Sequence, residues 1–176
     1  MSAAKILVVD DELNVLRAID RLLTRAGYSV VTFDNPTLAL SAANAAEYDV
    51  VISDYQMPDV NGVDFLATLQ SLYPDTPRIM LTGQADKAAM VQSINKAAVF
   101  RFLQKPYDNA ELIETVSAAV AAHRDNEQIS VAMDKLQTEE SADYRRKKAT
   151  EALERESPGI TDVNWTDNGT IIIDDF

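Results

Sequence analysis

Apolar residues in this chain gather in five short, mostly apolar runs, at residues 6–9, 30–33, 50–52, 79–81 and 99–103. Runs of this length read as strands, most of them buried on both faces. Between the runs the apolar spacing changes. Leu13, Leu16, Ile19, Leu22 and Leu23 share one helical face, and so do Phe65, Leu66, Leu69 and Leu72. Gly27 suits a helix C-terminus, and Asn35 followed by Pro36 suits a helix start. The pattern is a strand–helix unit repeated five times, with the last helix starting near Asp108. Such alternation predicts an α/β fold, a doubly wound five-stranded parallel sheet with helices on both faces.

Beyond His123 the pattern changes. Residues 125–156 contain no Pro, no Gly and no strand-like run, and their sparse apolar residues include Ile129, Met133, Leu136, Tyr144 and Leu153. This predicts helix, either continuing the fifth one or forming a separate piece. The apolar spacing resembles a coiled-coil seam only briefly. A dimerising helix and a helix folded back on its own domain both fit. The run RRKK at 145–148, flanked by acids, reads as a solvated face.

Pro158 and Gly159 stop that helix, and Asn168-Gly169, between VNW and TIII, is a two-residue hairpin signal. An isolated hairpin is marginal in water. Trp165 and Ile171, Ile172 and Ile173 must therefore cover another part of the chain or a partner. Three segments are expected: a domain over 1–124, a helical extension over 125–157 and a β-hairpin tail over 158–176.

Composition narrows the chemistry. The 176 residues carry a net charge of -12, which disfavours nucleic acid and anionic membrane surfaces. With no cysteine and a single histidine, His123, thiolate chemistry is excluded and a zinc cluster or a Ser-His triad is poorly supported. No apolar run approaches the ~20 residues of a membrane span, and the four-residue run near the N-terminus is too short for a signal peptide. A cytoplasmic protein without membrane insertion is the expectation.

In open parallel sheets, ligands bind beyond the carboxyl ends of the strands. Asp10 and Asp11 follow the first strand, Asp54 the third, Thr82 the fourth and Lys105 the fifth. Asp10, Asp11 and Glu12 alone have two readings: acids that favour a helix N-terminus, or a site for a hard cation. If Asp54 lies opposite the pair, three carboxylates converge and a divalent ion such as Mg2+ removes the conflict. Asp54 can also be a nucleophile toward phosphorus, with Lys105 and Thr82 stabilising phosphoryl oxygens. Lys105 before Pro106 invites a cis peptide.

The stretches ILVVDDE, DVVISDYQMPDVNG, IMLTG and RFLQKP, in this order after strands 1, 3, 4 and 5, resemble the receiver domain of bacterial two-component response regulators. The resemblance covers residues of about 4 to 124. It implies a flavodoxin-like sheet of order 2-1-3-4-5. It implies that Asp54 accepts a phosphoryl group from a histidine kinase or phosphotransfer protein. Asp10, Asp11, Asp54 and the backbone carbonyl of Gln56 would hold Mg2+, and Lys105 would contact the phosphate. Thr82 and Phe102 match the family's switch residues, and Met57, Pro58 and Gly62 the loop after the acceptor. Gln56 and Gln84 occupy positions that tune phosphate lifetime. Asp59 and Asp64 read as solvated loop and helix-start residues, and His123 as packing. Phe100 departs from the plainest receiver, being bulky where small or polar residues are common.

The tail carries 13 acids against 6 bases, against a DNA-reading output, and is too short for a phosphodiesterase. The functional expectation is a phosphorylation-dependent response regulator. It catalyses only its own phosphoryl uptake and loss, and switches protein contacts or homodimerisation through its last helix and tail. The alternatives are a constitutive adaptor assembled by its tail and, last, a Mg2+-dependent phosphatase of small molecules.

Overall fold

A computed structural model describes residues 3–83, 97–156, 164–165 and 171–172. Strand β1 (Lys5–Val9) is followed by α1 (Leu13–Arg25), β2 (Ser29–Phe33), α2 (Pro36–Ala45), β3 (Val50–Asp54) and α3 (Gly62–Leu72). Then come β4 (Arg78–Thr82), β5 (Arg101–Gln104) and a long helix α4 (Asn109–Glu156). The helix expected between β4 and β5 falls largely outside the described residues. Two short strands, β6 (Asn164–Trp165) and β7 (Ile171–Ile172), close the chain.

The first five strands form one parallel sheet in the order β2-β1-β3-β4-β5. Period-two alternation makes it two-sided. On β1, Ile6 and Val8 enter one core with Leu16, Ile19 and Leu23 of α1 and Leu112 and Val116 of α4. Leu7 and Val9 enter the other, with Ala39 and Ala43 of α2 and Phe65, Leu66 and Leu69 of α3. Each fully buried aliphatic or aromatic side chain contributes about 1.5–3 kcal/mol by leaving water. The central strands β1, β3 and β4 are buried on both faces as expected, whereas the edges β2 and β5 are only partly covered.

Three details differ from the sequence expectation. Val99 and Phe100 precede β5, and Phe100 is exposed. Leu13 and Leu72, expected on the buried helix faces, are the first and last residues of their helices, and both are exposed. The helical signals themselves hold. At the end of α1 the Gly27 N–H donates to Thr24 O (3.0 Å) and the Tyr28 N–H to Leu23 O (3.1 Å), with Gly27 at φ +95°. That paired closure needs a left-handed residue, which glycine adopts without a Cβ penalty. Asn35 Oδ1 accepts from the Thr37 and Leu38 N–H groups, with Pro36 in the first helical turn.

At the opposite end of the sheet from the expected site, Arg78 is 5% exposed. Its guanidinium donates to the carbonyls of Ala97 (2.9 Å) and Thr76 (2.8 Å), among others. It thereby ties the approach to β5 to the approach to β4. Burial lowers its pKa, against the opposing charge of Asp75.

Compactness divides the chain into Met1–Gln128 and Ile129–Phe176. Helix α4 runs unbroken through residue 128, so the extension continues the last helix of the first unit. Ile129, Met133, Leu136 and Tyr144 are 58, 56, 65 and 66% exposed. In the second unit β6 and β7 pair antiparallel, with Trp165 opposite Ile171. The expected helix stop at Pro158 and Gly159, the Asn168-Gly169 turn and Ile173 lie outside the described residues, as does the side chain of Leu153.

Candidate functional site

Parallel pairing brings the carboxyl ends of β1, β3, β4 and β5 to one edge. Asp10, one residue past β1, has its backbone N–H donating to Phe33 O (3.2 Å) and its carboxylate fully buried. Its Oδ1 accepts from the Glu12 N–H (2.9 Å) and its Oδ2 from Lys105 Nζ (2.8 Å). Asp54, the last residue of β3, presents Oδ1 to the same ammonium at 2.7 Å, while its Oδ2 accepts from the Gln56 N–H (3.0 Å). Lys105 is placed by its own N–H donating to Thr82 O (2.7 Å), which extends the β4–β5 ladder by one bond. The Lys105-Pro106 peptide is cis, as the sequence invites.

One ammonium thus bridges two carboxylates in a site largely closed to water. Charge-assisted contacts of this length are the strong class of hydrogen bond. The Asp54 pKa is raised, because burial disfavours the carboxylate more than the Lys105 hydrogen bond and charge favour it. For Lys105, burial pulls the pKa down, but the hydrogen bonds and charges of Asp10 and Asp54 outweigh it and the net direction is up.

Both shifts contribute stability that is lost as pH rises, each in its own pH window. A raised Asp54 pKa contributes stability at low pH that is lost as pH rises from the unfolded value of 3.8 through the folded one. The raised Lys105 pKa contributes stability that is full below 10.5 and lost as pH rises through its folded pKa. Asp54→Asn should therefore stabilise the metal-free protein relative to wild type at neutral pH. The gap in urea midpoint should widen between about pH 4 and about pH 7. A gap that is flat with pH would contradict the raised pKa.

Thr82 ends β4 and is 1% exposed, and its Oγ1 has no hydrogen-bond partner among the described residues. A buried hydroxyl without an acceptor costs about 1–3 kcal/mol. An anion at Asp54 is the kind of ligand that would relieve it. Gly62 opens α3 against the acceptor's backbone: a Cβ there would strike Asp54 O, so only glycine lets α3 start so close to β3. Asn61 caps this helix, accepting from the Asp64 N–H (2.9 Å) while its amide donates to the Asp64 carboxylate (2.9 Å).

The Asp10–Lys105–Asp54 bridge meets part of the charge conflict directly. Convergence of the carboxylates does not by itself demand a divalent ion, because Lys105 already meets two of them. Asp11 is exposed, and no group of three acidic or histidine side chains among the described residues is disposed to hold a metal ion. The donor chemistry still fits Mg2+. Carboxylate oxygens and the Gln56 carbonyl are hard ligands, and this ion keeps several waters and needs only one or two protein carboxylates.

A family model for the response regulator receiver domain matches residues 6–117. The chain belongs to the response-regulator receiver family. Among curated relatives, the DNA-binding transcriptional regulator NtrC of Proteus hauseri is 31% identical over 138 residues, 78% of this chain and 29% of that protein. The hydrogenase transcriptional regulatory protein HoxA of Bradyrhizobium diazoefficiens is 32% identical over 68% of this chain and 24% of its own length. The chain thus spans under a third of these relatives. Among solved structures, the signal receiver domain of an HD domain-containing protein from Pseudomonas fluorescens Pf-5 superposes with a TM-score of 0.70 at 30% identity. That match covers 73% of this chain and 94% of the other. The chemotaxis protein CheY4 of Vibrio cholerae gives 0.61 at 32% identity, over 66% of this chain and 98% of its own.

Within the receiver, Asp10, Asp54, Thr82 and Lys105 come to one edge. Phe102 is half-buried, opposite Met80 of β4 and against the α2–α3 core. Gln56 is exposed, and Gln84 lies outside the described residues. Asp59 and Asp64 are exposed, and His123 Nδ1 lies 3.1 Å from Asp75 O, a packing role. Of two further neighbours of the site, Glu12 was singled out from sequence and Tyr107 was not. Glu12 Oε1 stands 3.8 Å from Lys105 Nζ, and Tyr107, half-buried beside α1 and α4, feels the charges of Lys105, Asp10 and Asp54. Glu12 had a signal in the DDE run, whereas an aromatic two residues after a lysine has none.

No helix among the described residues is long and apolar enough to cross a membrane.

Proposed function

We propose that the chain is a cytoplasmic response regulator that takes a phosphoryl group on Asp54 from a histidine kinase or phosphotransfer protein. The reading holds that phosphorylation then changes what its last helix and tail bind, with no nucleic acid among the partners. The observation that carries it is Lys105 Nζ at 2.7 Å from Asp54 and 2.8 Å from Asp10, with the buried Thr82 hydroxyl at the same sheet edge lacking a partner among the described residues.

In the proposed step a carboxylate oxygen of Asp54 bonds to phosphorus as the bond to the partner's imidazole nitrogen breaks. The electron pair leaves with the imidazole. Lys105 offsets negative charge on the phosphoryl oxygens, and Thr82 Oγ1 gains the acceptor it otherwise lacks. The Gln56 N–H keeps the carboxylate oriented. Asp10, Asp11, Asp54 and the Gln56 carbonyl would hold Mg2+, which when bound supplies Lewis-acid neutralisation of phosphoryl charge. Thr82 moving toward the phosphate frees space for Phe102, and that shift biases β5 and α4 between two arrangements.

The test is the mass of the full chain by light scattering in Mg2+, with and without beryllofluoride as an aspartyl-phosphate mimic. A change in assembly that disappears in Asp54→Asn supports the reading. An identical mass and identical partner binding in every sample would instead favour a constitutive adaptor.

A further inference from the structure

Helix α4 carries one stripe along its length. Taken at spacings of three and four, it reads Leu112, Thr115, Ala119, Ala122, Asn126, Ile129, Met133, Leu136, Glu140, Asp143 and Lys147. Leu112, Thr115 and Ala119 are buried in the receiver. From Asn126 onward every described member is exposed, including Ile129, Met133 and Leu136. Three large apolar side chains on one face of a helix, each more than half exposed, require a cover.

We infer that the cover is the same helix of a second copy, running antiparallel. The inference rests on the proposed reading in which this helix mediates assembly, and adds its geometry. Charge decides the direction. A parallel pair in register sets Glu140 against Glu140, Asp143 against Asp143 and Lys147 against Lys147, three consecutive like-charged layers. An antiparallel pair centred between Met133 and Leu136 removes all three. Met133 then meets Leu136, Ile129 packs against the stem of Glu140, and Ala122 against that of Lys147. The Asn126 amide can donate to the Asp143 carboxylate.

The flanking positions agree. Antiparallel pairing brings Asp125 of each copy beside Arg146 of the other, whereas a parallel pair gives Asp125 only Ser130. Arg146 can change partners readily: within one chain its contact is to Asp143 at 3.7 Å, with both side chains more than 70% exposed.

The absence of cysteine allows a test free of background thiols. Full-length Asn126→Cys and Asp143→Cys variants are oxidised alone and as an equimolar mixture, with and without beryllofluoride and Mg2+. The expected result is a disulfide dimer from the mixture and little from either variant alone. Efficient crosslinking of each variant alone would mean a parallel pair and overturn the inference. Light scattering of the unmodified protein should give twice 19.4 kDa in at least one state. Met133→Glu should return it to a monomer at the same concentration. A monomer in all states would overturn the inference and point to the tail strands or a different protein as the cover. Because orientation is read whether or not beryllofluoride acts, a failure of the phosphorylation reading is separately visible.

Discussion

Lys105→Met should destabilise the metal-free protein by about 3 kcal/mol or more. Asp10 is fully buried, and among the described residues its carboxylate is held by the Glu12 N–H and the Lys105 ammonium. Methionine keeps the length of the side chain and removes the charge. Two buried carboxylates are then left without their shared cation, which costs far more than losing an exposed ion pair. The loss should be specific to the uncompensated charge. Asp10→Asn in the same chain should recover much of it, as should Mg2+ at millimolar concentration. A double-mutant cycle by urea unfolding reads the coupling directly. A single variant that unfolds with the wild-type midpoint would mean that Lys105 does not bridge the two acids.

Asp54→Asn should lower phosphoryl uptake from acetyl phosphate in Mg2+ by about a thousandfold, to background. The amide cannot present an anionic oxygen to phosphorus, and no other carboxylate of the cluster can substitute. Asp10 is enclosed with both oxygens engaged, and Asp11 is exposed. Intact-mass spectrometry checks this by the gain of one phosphoryl group. The fold should survive, since Oδ1 of asparagine can still accept from the Gln56 N–H, and the pH argument above expects greater stability at neutral pH. A variant that folds and still gains one phosphoryl group would move the acceptor elsewhere.

The local grammar of the chain was legible because it depends on neighbours a few residues apart. The Schellman-type end at Gly27, the Asn35 cap with Pro36, and the three central strands all follow from spacing and backbone preference. The same reasoning overextended helix faces at Leu13 and Leu72. Periodicity records which side of a helix is apolar, but not where the sheet beneath it ends.

What the sequence determined by itself was the order of elements and which residue types stand after which strands. In a parallel sheet that order already brings Asp10, Asp54, Thr82 and Lys105 to one edge. Only tertiary structure decided how they meet there. A side chain's protonation and partners depend on distances of a few ångströms between strands far apart in the chain. Hence Lys105 emerges as the cation that Asp10 and Asp54 share, Thr82 as a buried hydroxyl without an acceptor among the described residues, and Gly62 as the residue whose missing Cβ admits the Asp54 carbonyl. Tertiary structure likewise decided that one helix runs on past the receiver. Helical propensity is satisfied within a few turns, whereas continuity and exposure depend on whether anything packs against it.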